Sequence, residues 1–418
     1  MNLTKITGKL KAQIQIFSGK LSAGLPKVAG RFIEETIYGI QSRQSVKLSE
    51  IARSLSEKIP LIKTINRLSR QLSREGLWKN VTVEILKMAK GNVADDTLLI
   101  IDISDINKPY ARKMEHLGRV HDGSSSSVVD GYWTCQVIAA QTGKSNVVPL
   151  YNRLYSIDAP DCTGENDEIK KAIGLVSKAV DNKGVWVIDR GGDRRVLFDY
   201  LLNGNRRFII RMKGDRHLVY KGEKIITKDL ANGCFLPYSE VIVSEDKDRE
   251  KVYHISYGFC KVRLPDTLVP LYLVAIRGFG KEPMMLLTNL PLRKNRSVLL
   301  NIVKSYITRW KIEETIRFIK QSYGLEDIRV QTYVRLQNMM ALVLATAYFA
   351  SAYIGRKLKM KVLSSIIIRL SKRIFGIPDF RYYAIADGIK ELLSRNMKGP
   401  LRLLPKWVPK NQLSLFLP

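Results

Sequence analysis

The sequence predicts an α/β fold: a mixed sheet core that carries an inserted β segment and is flanked by helical regions. Three observations lead there. Between residues 97 and 211, short apolar runs bounded by turn residues alternate with helix-period stretches. Residues 212–292 hold strand-length runs separated by polar turns with Gly, Asp and Pro. The segments before 97 and after 292 carry apolar residues at helical spacing. With 418 residues and 45% hydrophobic side chains, the chain can form two or three domains around a large core, which excludes wholesale disorder.

The first region, 1–92, reads as helical. Phe32, Ile33, Ile37 and Ile40 recur at helical spacing. Ser49 offers an N-cap for 50–55, and Pro60 stands where a further helix can begin. That helix, 61–73, sets Lys63, Arg67, Arg70 and Arg74 outside a stripe of Ile62, Ile65, Leu68 and Leu72. Two short helices with a basic second one suit a helix-turn-helix DNA reader, and equally an ordinary helical bundle.

Strands are expected at 98–103, 132–140 and 147–155, with Gln141 to Lys144 turning between the last two. A helix at 166–180, a buried strand at 185–189, a helix at 194–202 capped by Asp193 and a strand at 207–211 complete the core's first part, 93–211. Ser124 to Ser127 reads as a flexible loop. The insert, 212–292, is expected to hold strands at 218–226, 240–244, 252–262, 271–277 and 284–288. The core resumes over 293–355 with one long helix at 297–323, and 356–418 reads as a basic helical region with a Pro-containing tail. Met339 to Gly355 has no charged side chain, at the short limit for a membrane span. Thr346, Ser351, Tyr348 and Tyr353 lie within it, so it reads as a buried core helix, and no membrane partner is expected.

The formal charge is +30, from 69 basic and 39 acidic side chains. An excess spread along the chain points to a polyanion, most simply nucleic acid. It is concentrated at 1–80, with 15 basic against 5 acidic residues, and at 331–418, with 15 against 3. Cys135, Cys162, Cys234 and Cys260 form no CxxC pair and only four His are present, which argues against a zinc site. Dispersed cysteines and the lack of a continuous apolar run near Met1 suit a reducing, cytoplasmic setting at the nucleoid. His116 and His121 fall in an expected loop without metal spacing.

Three acidic residues carry the chemistry. Asp102 follows the apolar run 98–101, and Asp189 follows 185–188 ahead of Arg190 and two glycines. Glu313 shares a helix face with Tyr306, Arg309 and Lys320, at successive spacings of 3, 4 and 7. Strand-end carboxylates facing a helical one can hold divalent cations for phosphodiester chemistry, while basic neighbours hold phosphates. Asp105 is the alternative to Asp102, although it could cap or pair with Lys108. Glu314 turns about 100° away from the Arg309 stripe. The bland alternatives are strand-end aspartates, an exposed Arg–Glu helix pair and a core Tyr306.

The order Asp, Asp-Arg-Gly, then Tyr-x₂-Arg-x₃-Glu-x₆-Lys resembles the DDE transposases of the insertion-sequence-four type, which carry the YREK signature. The resemblance covers about residues 30 to 350. It implies a ribonuclease-H-like core interrupted by a β insertion, with a helical DNA-binding region before it. It implies that Asp102, Asp189 and Glu313 are catalytic and ligate two Mg²⁺ ions, for which Mn²⁺ can substitute. Tyr306, Arg309, Lys320 and Arg190 would contact DNA. The implied partners are double-stranded DNA, as terminal inverted repeats and target, and a second copy of the chain in a homodimer. The implied reaction is end cleavage followed by strand transfer.

One feature departs from the family. Some members stack a flipped base on a Trp of the insertion, whereas no Trp lies between Trp186 and Trp310 here. Tyr238, Tyr253, Tyr257 and Tyr272 are the rings that could serve instead. Competing readings are a ribonuclease-H-fold nuclease or resolvase that cuts without joining, a non-catalytic transposase-derived DNA-binding protein, and a basic nucleoid or ribosomal scaffold.

Overall fold

Five helices precede the first strand: α1 (Leu3–Leu21), α2 (Lys27–Arg43), α3 (Leu48–Ser54), α4 (Leu61–Leu72) and α5 (Leu77–Ala89). The structure, a computed structural model, describes residues 3–123, 127–144, 146–246, 249–293, 295–354, 365–368, 381–395 and 399–401. Leu10, Ile14, Phe17 and Leu21 form the inward stripe of α1, and Phe32, Ile33, Ile37 and Ile40 that of α2. At Gly39 a Cβ would stand 2.5 Å from the Ile51 side chain, so glycine is what lets α3 cross α2 so closely.

Details of this region differ from expectation. Extended backbone at Lys47 (φ −69°, ψ 122°) starts α3 ahead of Ser49, which therefore caps nothing. Pro60 does precede α4, but the buried stripe of α4 is Thr64, Leu68 and Leu72, while Ile62 is 59% exposed. Arg67 turns inward to Glu35 (2.5 Å) and Glu57 (2.9 Å), because both carboxylates are buried and need a cation.

The core sheet is built from β1 (Leu98–Asn107), β2 (Gly118–Asp122), β3 (Ser127–Ala140), β4 (Val147–Tyr155), β5 (Val185–Ile188) and β6 (Arg207–Arg211). Helices α6 (Glu165–Ala179) and α7 (Arg195–Asn203) make the crossovers on either side of β5. Strand order is β4-β3-β1-β5-β6, with β3 antiparallel to β1 and β4, and β1, β5 and β6 mutually parallel. An antiparallel three-strand meander followed by two parallel strands in this order is the ribonuclease-H-like arrangement.

β2 falls where a loop was expected, and it pairs with 127–131 of β3, so Ser127 belongs to a strand. Residues 124–126 of the expected flexible loop lie outside the described residues. Asp193 does not cap α7. It accepts from the Lys213 backbone N–H (2.8 Å) and pairs with Arg216, a tertiary partnership that outcompetes the local cap.

The expected all-β segment adds a hairpin, β7 (His217–Tyr220) and β8 (Glu223–Ile226), then α8 (Thr227–Asn232) and four longer strands. These are β9 (Tyr238–Asp246), β10 (Arg249–Val262), β11 (Leu271–Arg277) and β12 (Met284–Thr288). β12 pairs antiparallel with β6, so the four strands extend the core into a ten-stranded sheet that ends at β9.

The expected helix 297–323 is two helices, α9 (Arg296–Ile307) and α10 (Trp310–Ser322), joined by a turn at Thr308 and Arg309. The Asn295 side chain caps α9 by accepting from Ser297 N–H (2.9 Å). α11 (Tyr333–Tyr348) continues into a π-helical turn, Phe349–Tyr353. It is buried nearly all round, against β4 on one side and α2, α4 and α5 on the other, as a core helix. Among the described residues no helix is long and apolar enough to cross a membrane. Of the expected 356–418 region, the described part includes α12 (Arg381–Arg395), which packs against α1, α2 and α10. The expectations for 356–364, 369–380, 396–398 and 402–418 lie outside the described residues.

Candidate active site

The parallel register of β1 and β5 runs Leu98–Val185, Leu99–Trp186 and Ile100–Val187. Asp102 and Asp189 each lie two residues beyond the last pair. Side chains alternate along a strand, so both carboxylates leave the same sheet face at the same level. Asp102 is not at a strand end, as the sequence suggested: β1 continues to Asn107, and Asp102 faces Gln136 of β3. What stops there is β5, and its end opens the sheet beside Asp102.

At Asp189 the chain turns into a short 3-10 turn, Arg190–Gly192. The Asp189 Oδ1 accepts from Gly191 N–H at 2.8 Å. Arg190 is exposed at this turn. A surface cleft of about 420 Å³ begins at Asp193, just past this turn in the chain, and is lined by Asp193, Arg195, Lys213, Asp215, Arg216, His217 and Pro265. No local pattern announces this cleft, because its wall joins residues 193–195, 213–217 and 265, which are far apart along the chain.

Helix α10 packs over β1 and β3 and carries Glu313 in its first turn, half exposed. Arg309, just ahead of α10, joins two of the three carboxylates. Its Nη2 donates to Glu313 Oε1 at 2.5 Å, and its Nη1 stands 3.7 Å from Asp102 Oδ2. Burial and the neighbouring Asp189 charge push the Asp102 carboxyl up to about 7. Arg309 and the Ile103 N–H pull it back, and Glu313 pushes it further up. Asp102, Asp189 and Glu313 thus share one electrostatic site.

Their neighbours divide into two sets. Asp105 is buried and pairs with Lys320 at 3.4 Å, while Lys320 also reaches Glu326 at 3.3 Å. Lys108 is not the partner of Asp105; it donates to the backbone carbonyls of Glu326 and Ile328. Tyr306 is only 5% exposed, with the Arg309 guanidinium 5.9 Å from its ring centre, so the ring supports Arg309 from the core side. Glu314 pairs with Arg317, off the Arg309 stripe. His116 packs edge-on against Tyr333, and His121 is exposed on β2. In the insert, Tyr257 is buried against Tyr238 and closed to stacking, while Tyr238, Tyr253 and Tyr272 are half-buried.

Among the described residues no three His, Cys, Asp or Glu side chains stand close enough to hold one ion, and Arg309 lies between Asp102 and Glu313. The donors nevertheless fit a hard divalent cation. All are carboxylate oxygens, and the burial and Asp189 charge that raise the Asp102 carboxyl are what a bound cation would offset.

The structure of the piggyBac transposase synaptic complex with hairpin DNA aligns with 95% of this chain and 80% of its own, at TM-score 0.48 and 11% identity. Residues 95–350, more than half of the chain and the span that carries all three carboxylates, match the transposase DDE domain, and the chain belongs to that family.

Proposed function

We propose that this chain cuts DNA at the ends of an insertion sequence of the YREK type and joins the freed 3′-hydroxyls to target DNA. The observation that carries the proposal is the convergence of Asp102, Asp189 and Glu313 on one electrostatic site within the family's span. Two Mg²⁺ ions, or Mn²⁺ in their place, would activate the attacking oxygen and relieve charge on the leaving one.

The side chains divide the remaining work. Asp102 and Asp189 offer carboxylates fixed by neighbouring strands, and Glu313 brings a third from the helix that packs over them. With cations held by these carboxylates, Arg309 would be left to grip a phosphate oxygen, with Tyr306 packed behind it. Arg190 is open to the DNA backbone, and Lys320 sits about two helical turns along α10 from Glu313, held by Asp105 and Glu326 until phosphate competes for it. The charge of +30 favours double-stranded DNA as partner, both terminal inverted repeat and target. Lys63 and Arg70, exposed on α4, suit a DNA-reading helix. Bridging two ends calls for a homodimer acting at the nucleoid.

The test supplies pre-nicked repeat ends and a supercoiled plasmid. A transposase joins end to plasmid in Mg²⁺, whereas a nuclease or resolvase of the same fold leaves no joined product.

A further inference from the structure

Two of the four cysteines are built into contact within the inserted strands. Cys234 follows α8, and Cys260 lies on β10, with their sulfurs 3.3 Å apart and both half-buried. The approach depends on Gly258, which precedes Cys260 by two residues on the same face of β10. A Cβ at Gly258 would lie 2.0 Å from the Phe235 carbonyl oxygen, so glycine lets the chain entering β9 cross directly over the strand. That crossing lays Cys234 onto Cys260.

We propose that Cys234 and Cys260 are an oxidation site: a peroxide converts them to an intramolecular disulfide that clamps the chain entering β9 onto β10. The sulfur–sulfur hydrogen bond with Cys234 and the nearby Lys221 charge lower the Cys260 thiol, against partial burial. Cys135 and Cys162 are instead pushed up by burial. Cys260 is therefore the thiolate that attacks. Its sulfur takes one peroxide oxygen, the O–O bond breaks, and the other oxygen leaves as water or alcohol after protonation. The Cys234 sulfur then attacks the sulfenic sulfur, hydroxide leaves, and the Cys234 proton completes a second water. Two thiols lose two electrons and two protons, and the peroxide accepts them. A thiol reductant reverses the change, so the reduced pair is the resting state in a reducing compartment.

The test uses full-length protein with one equivalent of hydrogen peroxide, thiol counting, and non-reducing peptide mass spectrometry. Two of the four thiols should disappear, with one peptide pair linking Cys234 to Cys260, restored by dithiothreitol. In Cys234→Ser, a sulfenic acid should persist at Cys260 and be trapped by dimedone. In untreated wild type, Cys260 should alkylate at lower pH than Cys162. The proposal is overturned if both cysteines stay alkylatable after peroxide, if Cys260 goes to sulfinic acid without linking, or if the link forms between chains.

Discussion

Asp102 holds its charge at a cost in the metal-free protein, because burial and the Asp189 carboxylate both oppose ionisation. Well below pH 4 the group is neutral in folded and unfolded chains alike. As pH rises from about 4 toward 7 the unfolded chain ionises first, so folding is progressively penalised, and above about 7 the penalty is complete. Metal-free Asp102→Asn should therefore be more stable than wild type at pH 8, by roughly 2–4 kcal/mol, with a smaller gap at pH 5. Thermal melts in EDTA at the two pH values check this, and equal gaps would remove the charge conflict. Arg309 lies beside the same carboxylates, and its proposed task is one phosphate contact. Arg309→Ala should lower the log–log salt slope of end binding by about 1. Titrations from low to moderate salt read that slope, and an unchanged value would confine Arg309 to holding Asp102 and Glu313.

At the scale of elements, α11 is where the N-terminal helices meet the sheet. Asn338 on α11 ties the α4–α5 connection down: its Nδ2 donates to Leu72 O (2.7 Å) and Arg74 O (2.8 Å), and its Oδ1 accepts from Trp78 N–H (2.9 Å). Asn338→Ala leaves these groups buried without partners and should cost about 2–4 kcal/mol in urea unfolding. A loss under about 0.5 kcal/mol would mean that α4 is held by other contacts. Such ties show what was legible in the sequence and what was not. β4, β6, β11 and β12 match their expected spans because a local apolar pattern specifies each. The Asp189 turn and the Arg309–Glu313 pair were legible for the same reason, as a strand end and a helical spacing. β2 was not: only Val120 and Asp122 are well buried in its second half, and it is a strand because β3 pairs with it. The break between α9 and α10 has no Pro or Gly to announce it. Asp105 meeting Lys320, and Arg67 meeting Glu35, depend on partners far along the chain.

For the whole molecule, the N-terminal helices, the core sheet, the inserted strands and α12 share one continuous hydrophobic cluster. The basic face of α4 is thus fixed relative to the carboxylates, so under the proposed function a DNA end held by one would be presented to the other. The charge of +30 supplies the attraction, and the sheet supplies the geometry. In the proposed function, Asp102, Asp189 and Glu313 together cut DNA at an element end. The most direct measurement incubates wild type and Glu313→Gln with a labelled duplex carrying the inverted repeat that flanks the gene, in Mg²⁺, Mn²⁺ or EDTA. Wild type should nick at the repeat end in a metal-dependent way. Glu313→Gln should lose cutting by on the order of 10³-fold or more, with end binding kept. Equal cutting by the variant, or wild type that binds the end and cuts it in neither metal, would contradict that function.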